Sequence, residues 1–276
     1  MKKFYFLLVT ICALSSCTND SASTVEPNPN LLKRIDFYPG TVSERHWLFN
    51  AEGLLYQVTK ADGTVVQDFT YDSHNRLINA NLNDYGLSES HTFTYDSNDF
   101  VTTVDGTVLH YDSSLQAYYT GDLSIAYRLT KINSEKLLLD GRSVVIDNDE
   151  SGISQTEWNT ILVTYSNGNI SGFSPGDSCV SYSYDTNINP LRNATLPICR
   201  AFSFVMNSRW VDGKVNSANN PLTENYCIED PESEVYHYNY NSNNLPTERT
   251  TDSYYHGVFE STMVSAKYYY QGDVLP

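Results

Sequence analysis

Aromatic and β-branched residues recur at every second position along most of this chain. Phe69 and Tyr71 share one face, with Asp68 and Thr70 on the other, and His91, Phe93 and Tyr95 oppose Thr92 and Thr94. Tyr182 and Tyr184 alternate with Ser181 and Ser183; Tyr236, Tyr238 and Tyr240 alternate with His237 and Asn239; Val264, Ala266, Tyr268 and Tyr270 repeat the pattern near the end. A period of two in such residues predicts strands with one face on a core and the other toward water. No long stretch holds apolar residues at helical spacing. The expected fold class is therefore all-β, a long antiparallel meander of hairpins.

The corners of that meander repeat a phrase: an aromatic residue, an Asp or Asn, a polar turn, then an aliphatic residue. It reads Tyr71-Asp72-Ser73-His74-Asn75-Arg76-Leu77 and Tyr95-Asp96-Ser97-Asn98-Asp99-Phe100-Val101, with looser copies at Phe49 to Leu54, Tyr111-Asp112, Tyr165 to Ile170, Tyr184-Asp185 and Tyr240 to Leu245. The Asp or Asn can accept a hydrogen bond from the backbone two residues on, and a later Asn or Gly tolerates positive φ. Asp62-Gly63, Asp105-Gly106 and Asp140-Gly141 predict tighter hairpin corners. Copies spaced roughly 16 to 24 residues apart imply about 14 to 18 strands. A meander that long must curl, close or split to manage its edges, and a curled or closed barrel-like sheet is expected.

The phrase resembles the YD repeat of Rhs-type proteins, Tyr-Asp-x-x-Gly-Arg-Leu, with Asn75 at the Gly position of the copy from Tyr71 to Leu77. The chain is similar to a group of Bacteroidota lipoproteins that combine a lipobox with a few YD-like hairpins. In that group a Tyr-Asp…Asn-Pro-Leu segment often follows a late repeat, matched here from Tyr184 to Leu191. The resemblance implies a β-meander of porin-like shape over residues 31 to 276 and transfers no catalytic residue. Its matching positions, Tyr71, Asp72, Tyr95, Asp96, Tyr111, Asp112, Tyr184 and Asp185, are turn residues.

The N-terminus carries a different signal. Lys2 and Lys3 precede an apolar run of about eleven residues from Phe4 to Leu14, too short to cross a bilayer as a helix, followed by Leu14-Ser15-Ser16-Cys17. These four residues resemble a lipobox, which implies cleavage after residue 16 and acylation of Cys17. Thr18 rather than Asp follows the cysteine and favours an outer-membrane address, on either face. Residues 17 to 30 read as a disordered tether, and 31 to 276 as a single domain of a size that one β fold can fill.

Composition narrows the partners. The net charge of −16 becomes −18 once Lys2 and Lys3 are removed, which opposes nucleic acid. After processing, Cys179, Cys199 and Cys227 remain, so at most one disulfide can form among them, and no zinc-ligand spacing appears. Asp147, Asp149 and Ser151 before Gly152 place oxygens as in the opening of a calcium loop, but Glu157 falls one position short of the EF-hand ligand. They are a candidate Ca2+ turn, alternatively an acidic corner, and no other cofactor is expected. Gly172-Phe173-Ser174-Pro175-Gly176 fits a nucleophile pattern, but Pro175 has no N–H for an oxyanion hole. The expectation is a membrane-tethered, non-enzymatic module binding a glycan or a protein. An accessory subunit of an envelope assembly is the alternative, and a hydrolase with an unrecognised site a further one. Glycan or protein binding would expose tyrosines such as Tyr118, Tyr119, Tyr254, Tyr255, Tyr268, Tyr269 or Tyr270; an accessory subunit would expose a contiguous apolar patch.

Overall fold

The computed structural model describes residues 28–83, 88–97, 99, 101–112, 117–120, 125–133, 136–145, 155–175, 180–202, 213–226 and 231–276. The strands are β1 (Leu32–Phe37), β2 (Arg45–Phe49), β3 (Leu55–Lys60), β4 (Val65–Tyr71), β5 (Leu77–Leu82), β6 (Glu89–Tyr95), β7 (Val101–Val104), β8 (Thr107–Asp112) and β9 (Ala117–Thr120). They continue as β10 (Ile125–Asn133), β11 (Lys136–Val145), β12 (Gln155–Ser166), β13 (Asn169–Pro175) and β14 (Val180–Ile188). After helices α1 (Leu191–Phe202) and α2 (Gly213–Asn216) come β15 (Asn219–Tyr226), β16 (Glu232–Tyr240), β17 (Pro246–Tyr255) and β18 (Val258–Tyr270). Each described strand pairs antiparallel with its neighbours in sequence, and β18 pairs back onto β1, Tyr268 opposite Ile35 and Ala266 opposite Phe37. The 18 strands thus form a continuous ring of pairings, the all-β meander expected.

Antiparallel alternation sorts the corners onto two rims. One rim carries the repeat corners and the first described residues: Asn243 donates from Nδ2 to Asn30 at 3.2 Å, and Gln271 N–H donates to the Leu31 carbonyl at 2.9 Å. The other carries the corners at Asp62-Gly63, Asp105-Gly106 and His256-Gly257. Asp105-Gly106, Asn167-Gly168 and His256-Gly257 each place two successive residues at positive φ, the two-residue turn that suits strand twist. Asp140-Gly141, expected as a corner, lies instead inside β11, opposite Arg128 and Tyr127. Pairing along the long β10–β12 strands overrides its local turn preference.

At the repeat corners the Asx side chain does what the sequence implies. Asp72 Oδ1 accepts from the N–H groups of His74 and Arg76 at 2.9 and 3.0 Å; Asn241 Oδ1 accepts from Asn243 and Leu245 at 2.9 and 3.1 Å. Gly53, Asn75, Asp99 and Asn244 take the left-handed position. Gly53 is required twice over, because a Cβ there would stand 3.0 Å from Leu31 Cδ2 and its φ suits glycine. A bulge precedes the aromatic residue in each of five corners, between Leu48/Phe49, Thr70/Tyr71, Thr94/Tyr95, Thr164/Tyr165 and Asn239/Tyr240. It sets the aromatic residue opposite Leu55, Leu77, Val101, Ile170 and Pro246, all buried.

The tyrosine hydroxyls connect one corner to the next. Tyr95 donates to the Leu77 carbonyl at 2.7 Å, Tyr184 to Ile170 at 2.5 Å and Tyr270 to Pro246 at 2.8 Å, and Tyr71 donates to Leu55. Leu55, Leu77 and Pro246 are each the first strand residue after an earlier turn, and Ile170 is the second. Arg76 adds a second link, holding Asp72 of its own corner while reaching the Asp96 carbonyl at 3.1 Å and Asp99 at 3.0 Å.

Tyr184-Asp185 departs from the pattern, since β14 runs on to Ile188 without turning. Asp185 instead caps a bulged segment, accepting from the N–H groups of Asn187 and Asn220 and from the Tyr240 hydroxyl. Asn189 then caps α1, its Oδ1 accepting from Leu191 N–H at 3.0 Å, with Pro190 beside it at the helix start. This helix was not expected. Leu191, Ala194, Ile198 and Ala201 line its buried face and join one core with Leu32, Ile35, Phe69, Leu77 and Phe93. The helix leaves the ring between β14 and β15 and touches β5, on the far side of it. The interior there is filled by α1.

A bulge also changes the last strand. Arg249 lies opposite Ala266 while Thr250 lies opposite Val264, so Ser265 is the extra residue. Val264 therefore faces away from Ala266, Tyr268 and Tyr270, not with them.

Candidate functional site

Among the described residues, three groups of side chains stand out from the scaffold. The first is inside the ring on β14 to β16. Glu224 is only 2% exposed, and the β15–β16 register sets it opposite Glu234. Its Oε1 accepts from the Tyr226 hydroxyl at 2.9 Å and the Tyr182 hydroxyl at 3.1 Å; its Oε2 accepts from Lys214 Nζ and the Tyr236 hydroxyl, both at 2.6 Å. Tyr236 also contacts Glu234 Oε2. Burial alone would raise the Glu224 carboxyl pKa, but Lys214 and the phenol donors outweigh it and hold the pKa below the ordinary value. Tyr236, buried beside this carboxylate, is pushed far above the ordinary phenol range. One layer down, buried Arg249 donates from Nε to Ser265 at 2.8 Å. Its guanidinium lies 5.0 Å from the Tyr236 ring centroid and 5.8 Å from that of Phe37, within reach of both π faces.

The second group is on the outer face of β1 and β2. His46 Nε2 is 2.7 Å from Glu44 Oε1 and 3.7 Å from Asp36 Oδ1, a trio close enough to ligate one cation. Arg34, however, forks onto Asp36, with Nη2 2.9 Å from Oδ2, and the same Nη2 is 3.0 Å from His46. The guanidinium already occupies the position that an ion would need, so the trio reads as an ion-pair cluster. His46 is the first cause holding the Glu44 carboxyl below its ordinary pKa.

The third group is the β17–β18 hairpin. Val258 through Met263 are all exposed, including Val258 at 67%, Phe259 at 53% and Met263 at 41%, with Tyr255 beside them at 39%. The Tyr254 and Phe259 rings meet edge to face across the two strands. β1 ends at Phe37, and its last bond to β18 is Tyr38 N–H to the Ser265 carbonyl at 3.1 Å. Beyond it the hairpin stands clear of β1.

The sequence-derived candidates fare unevenly. Tyr71, Asp72, Tyr95 and Asp96 lie at corners. Tyr111 and Asp112 end β8, and Tyr184 and Asp185 lie within β14. Tyr268 and Tyr270 turn inward and are buried, while Tyr255 is exposed. Cys17, Asp147, Asp149 and Ser151 lie outside the described residues, as do Cys179 and Cys227; Cys199 falls on α1. Ser174 and Pro175 end strand β13, and the next described element is strand β14, whereas a nucleophile elbow leads into a helix. The Glu224 centre was missed because its members are far apart in sequence. The spacing of Glu44, just before β2, and His46 on it was the one local clue to the second group.

No family model and no curated protein matches the chain. Among solved structures it is similar to a porin-like protein from Bacteroides uniformis ATCC 8492, with 12% identity over 87% of this chain and 97% of that one, at a TM-score of 0.34. It is also similar to a porin-like protein from Bacteroides vulgatus ATCC 8482, with 12% identity over 88% and 99% of the two chains, at a TM-score of 0.32. Both are faint likenesses of overall architecture.

Proposed function

We propose that the chain is a lipid-anchored, non-enzymatic module of the cell envelope that binds a protein partner at the tip of the β17–β18 hairpin. The observation that carries this reading is the exposed apolar surface of Tyr255, Val258, Phe259 and Met263, gathered on one projecting hairpin. A glycan platform has less support, since the tyrosine rows of β16 and β18 turn mostly inward. A hydrolytic centre is disfavoured at Glu224, whose oxygens are occupied by three phenols and an ammonium. Anchoring rests on the lipobox ending at Cys17, and Thr18 favours the outer membrane. A tethered rather than embedded body fits the sheet: the described strands turn Asp68, Asn81, Thr92, Thr94 and His237 outward and Phe69, Ala80 and Phe93 inward. A membrane-spanning barrel has the reverse polarity.

Photocrosslinking in cells tests the binding role. A crosslinker at position 259 or 263 of the full chain should yield one discrete adduct that a crosslinker at exposed Thr70 does not. Equal adducts at all three positions, or none, would reject hairpin binding. For the anchor, Cys17→Ala should release the protein from membranes; full retention without acylation would defeat it.

A further inference from the structure

We infer that the free edge of β18 accepts an extended peptide strand from the partner, so that recognition at the hairpin occurs by strand addition. This rests on the hairpin-binding reading and gives it a mode. His256 and Gly257, at φ 49° and 75°, form a two-residue turn. In such a turn the flanking pair, here Tyr255 and Val258, exchanges both backbone hydrogen bonds. Bonded and non-bonded pairs alternate along an antiparallel ladder. Tyr254↔Phe259 is therefore a non-bonded pair, and beyond the bulge so are Asp252↔Thr262 and Thr250↔Val264. The N–H and C=O groups of Phe259, Thr262 and Val264 thus point away from β17, toward the side where β1 has already ended.

An unpaired row of backbone donors and acceptors recognises one kind of occupant well, an extended strand, because only that geometry satisfies the whole row. The outward charges of the hairpin beyond β1 are Asp252 and Glu260, with His237 and Thr262 bonded to Asp252 at 2.9 and 2.6 Å, while Glu248, farther along where β1 still pairs, stands opposite Lys267. That acidic setting favours an incoming strand with basic residues flanking an alternating apolar centre. The β1–β18 pairing ends at Phe37 opposite Ala266, so an added strand would run antiparallel to β18 without disturbing a closed pairing.

A blocked eight-residue peptide of alternating threonine and valine, with a lysine at each end, serves as the probe on the mature full-length protein. Saturating peptide should slow amide exchange at Phe259, Thr262 and Val264 at least about tenfold and leave outer-face amides of β5 unchanged. Thr262→Pro removes an edge N–H while sparing the β17 ladder, and should weaken the peptide about tenfold or more. Phe259→Asp should weaken it too. Unchanged exchange at the three edge amides overturns strand addition, whether or not the proline variant folds. Peptide binding lost in Phe259→Asp but intact in folded Thr262→Pro overturns strand addition and keeps the hairpin reading. Edge protection that rises with protein concentration in the absence of peptide overturns the assigned occupant in favour of a second copy of the chain.

Discussion

At the scale of single residues, the repeat tyrosine does two jobs that the sequence pattern does not separate. Its ring fills the inner face and its hydroxyl ties one corner to an earlier one. Tyr95→Phe keeps the ring and deletes the bond to the Leu77 carbonyl. That loss should lower stability by roughly 1 kcal/mol, while Tyr56→Phe on an exposed site should change it little. Urea unfolding of the two variants makes the comparison; equal midpoints would remove the hydroxyl from the account. Glu224 supplies a pH test. Its folded pKa lies below the ordinary value of 4.5, so its contribution is present above that value and disappears as the pH falls through the folded one. Glu224→Gln should therefore lose stability less steeply than wild type as the pH falls below 4.5, although other lowered carboxyls such as Asp72 keep part of the slope. Parallel curves of stability against pH would contradict that sign.

Among the elements, α1 shows where local sequence reasoning stopped. Leu191, Ala194, Ile198 and Ala201 are spaced as one helix face, and Asn189-Pro190 is a start signal. Two things hid both: Pro197 inside the helix, a residue that usually breaks one, and the short span of 12 residues. The corners were legible because each contains a residue that tolerates positive φ. Asp140-Gly141 misled because the same dipeptide can be held extended by its neighbours. Register was legible only in part: the extra residue at Ser265 has no sequence mark, and it moved Val264 to the other face. The Glu224 centre draws on residues 182, 214, 224, 226, 234 and 236, which the topology assembles and no short motif announces. Since Ile198 is fully buried in the core, Ile198→Ala should cost about 3 kcal/mol. A surface position would lose about 0.5 kcal/mol or less in the same thermal or urea measurement, so a small loss would mean that α1 does not fill the ring.

For the whole molecule, the two rims give the proposed anchor a direction. Residues 28–31 leave beside the repeat corners, so a tether from Cys17 would hold that rim toward the membrane and the β17–β18 tip away from it. Strand β17 has 10 residues. At the usual strand rise it spans about 30 Å, whereas a flexible tether of residues 17 to 30 has a typical reach of about 20 Å. The net charge of −16, which becomes −18 once Lys2 and Lys3 are removed, adds to this by repelling an anionic leaflet. A fluorophore at Ser242→Cys on the repeat rim should transfer energy to a headgroup acceptor more efficiently than one at Ala61→Cys on the opposite rim, using acylated protein in vesicles. Removing the acyl chains through Cys17→Ala should abolish transfer from both positions. Greater transfer from Ala61→Cys would invert the orientation and put the hairpin edge against lipid, where an added protein strand could not reach it.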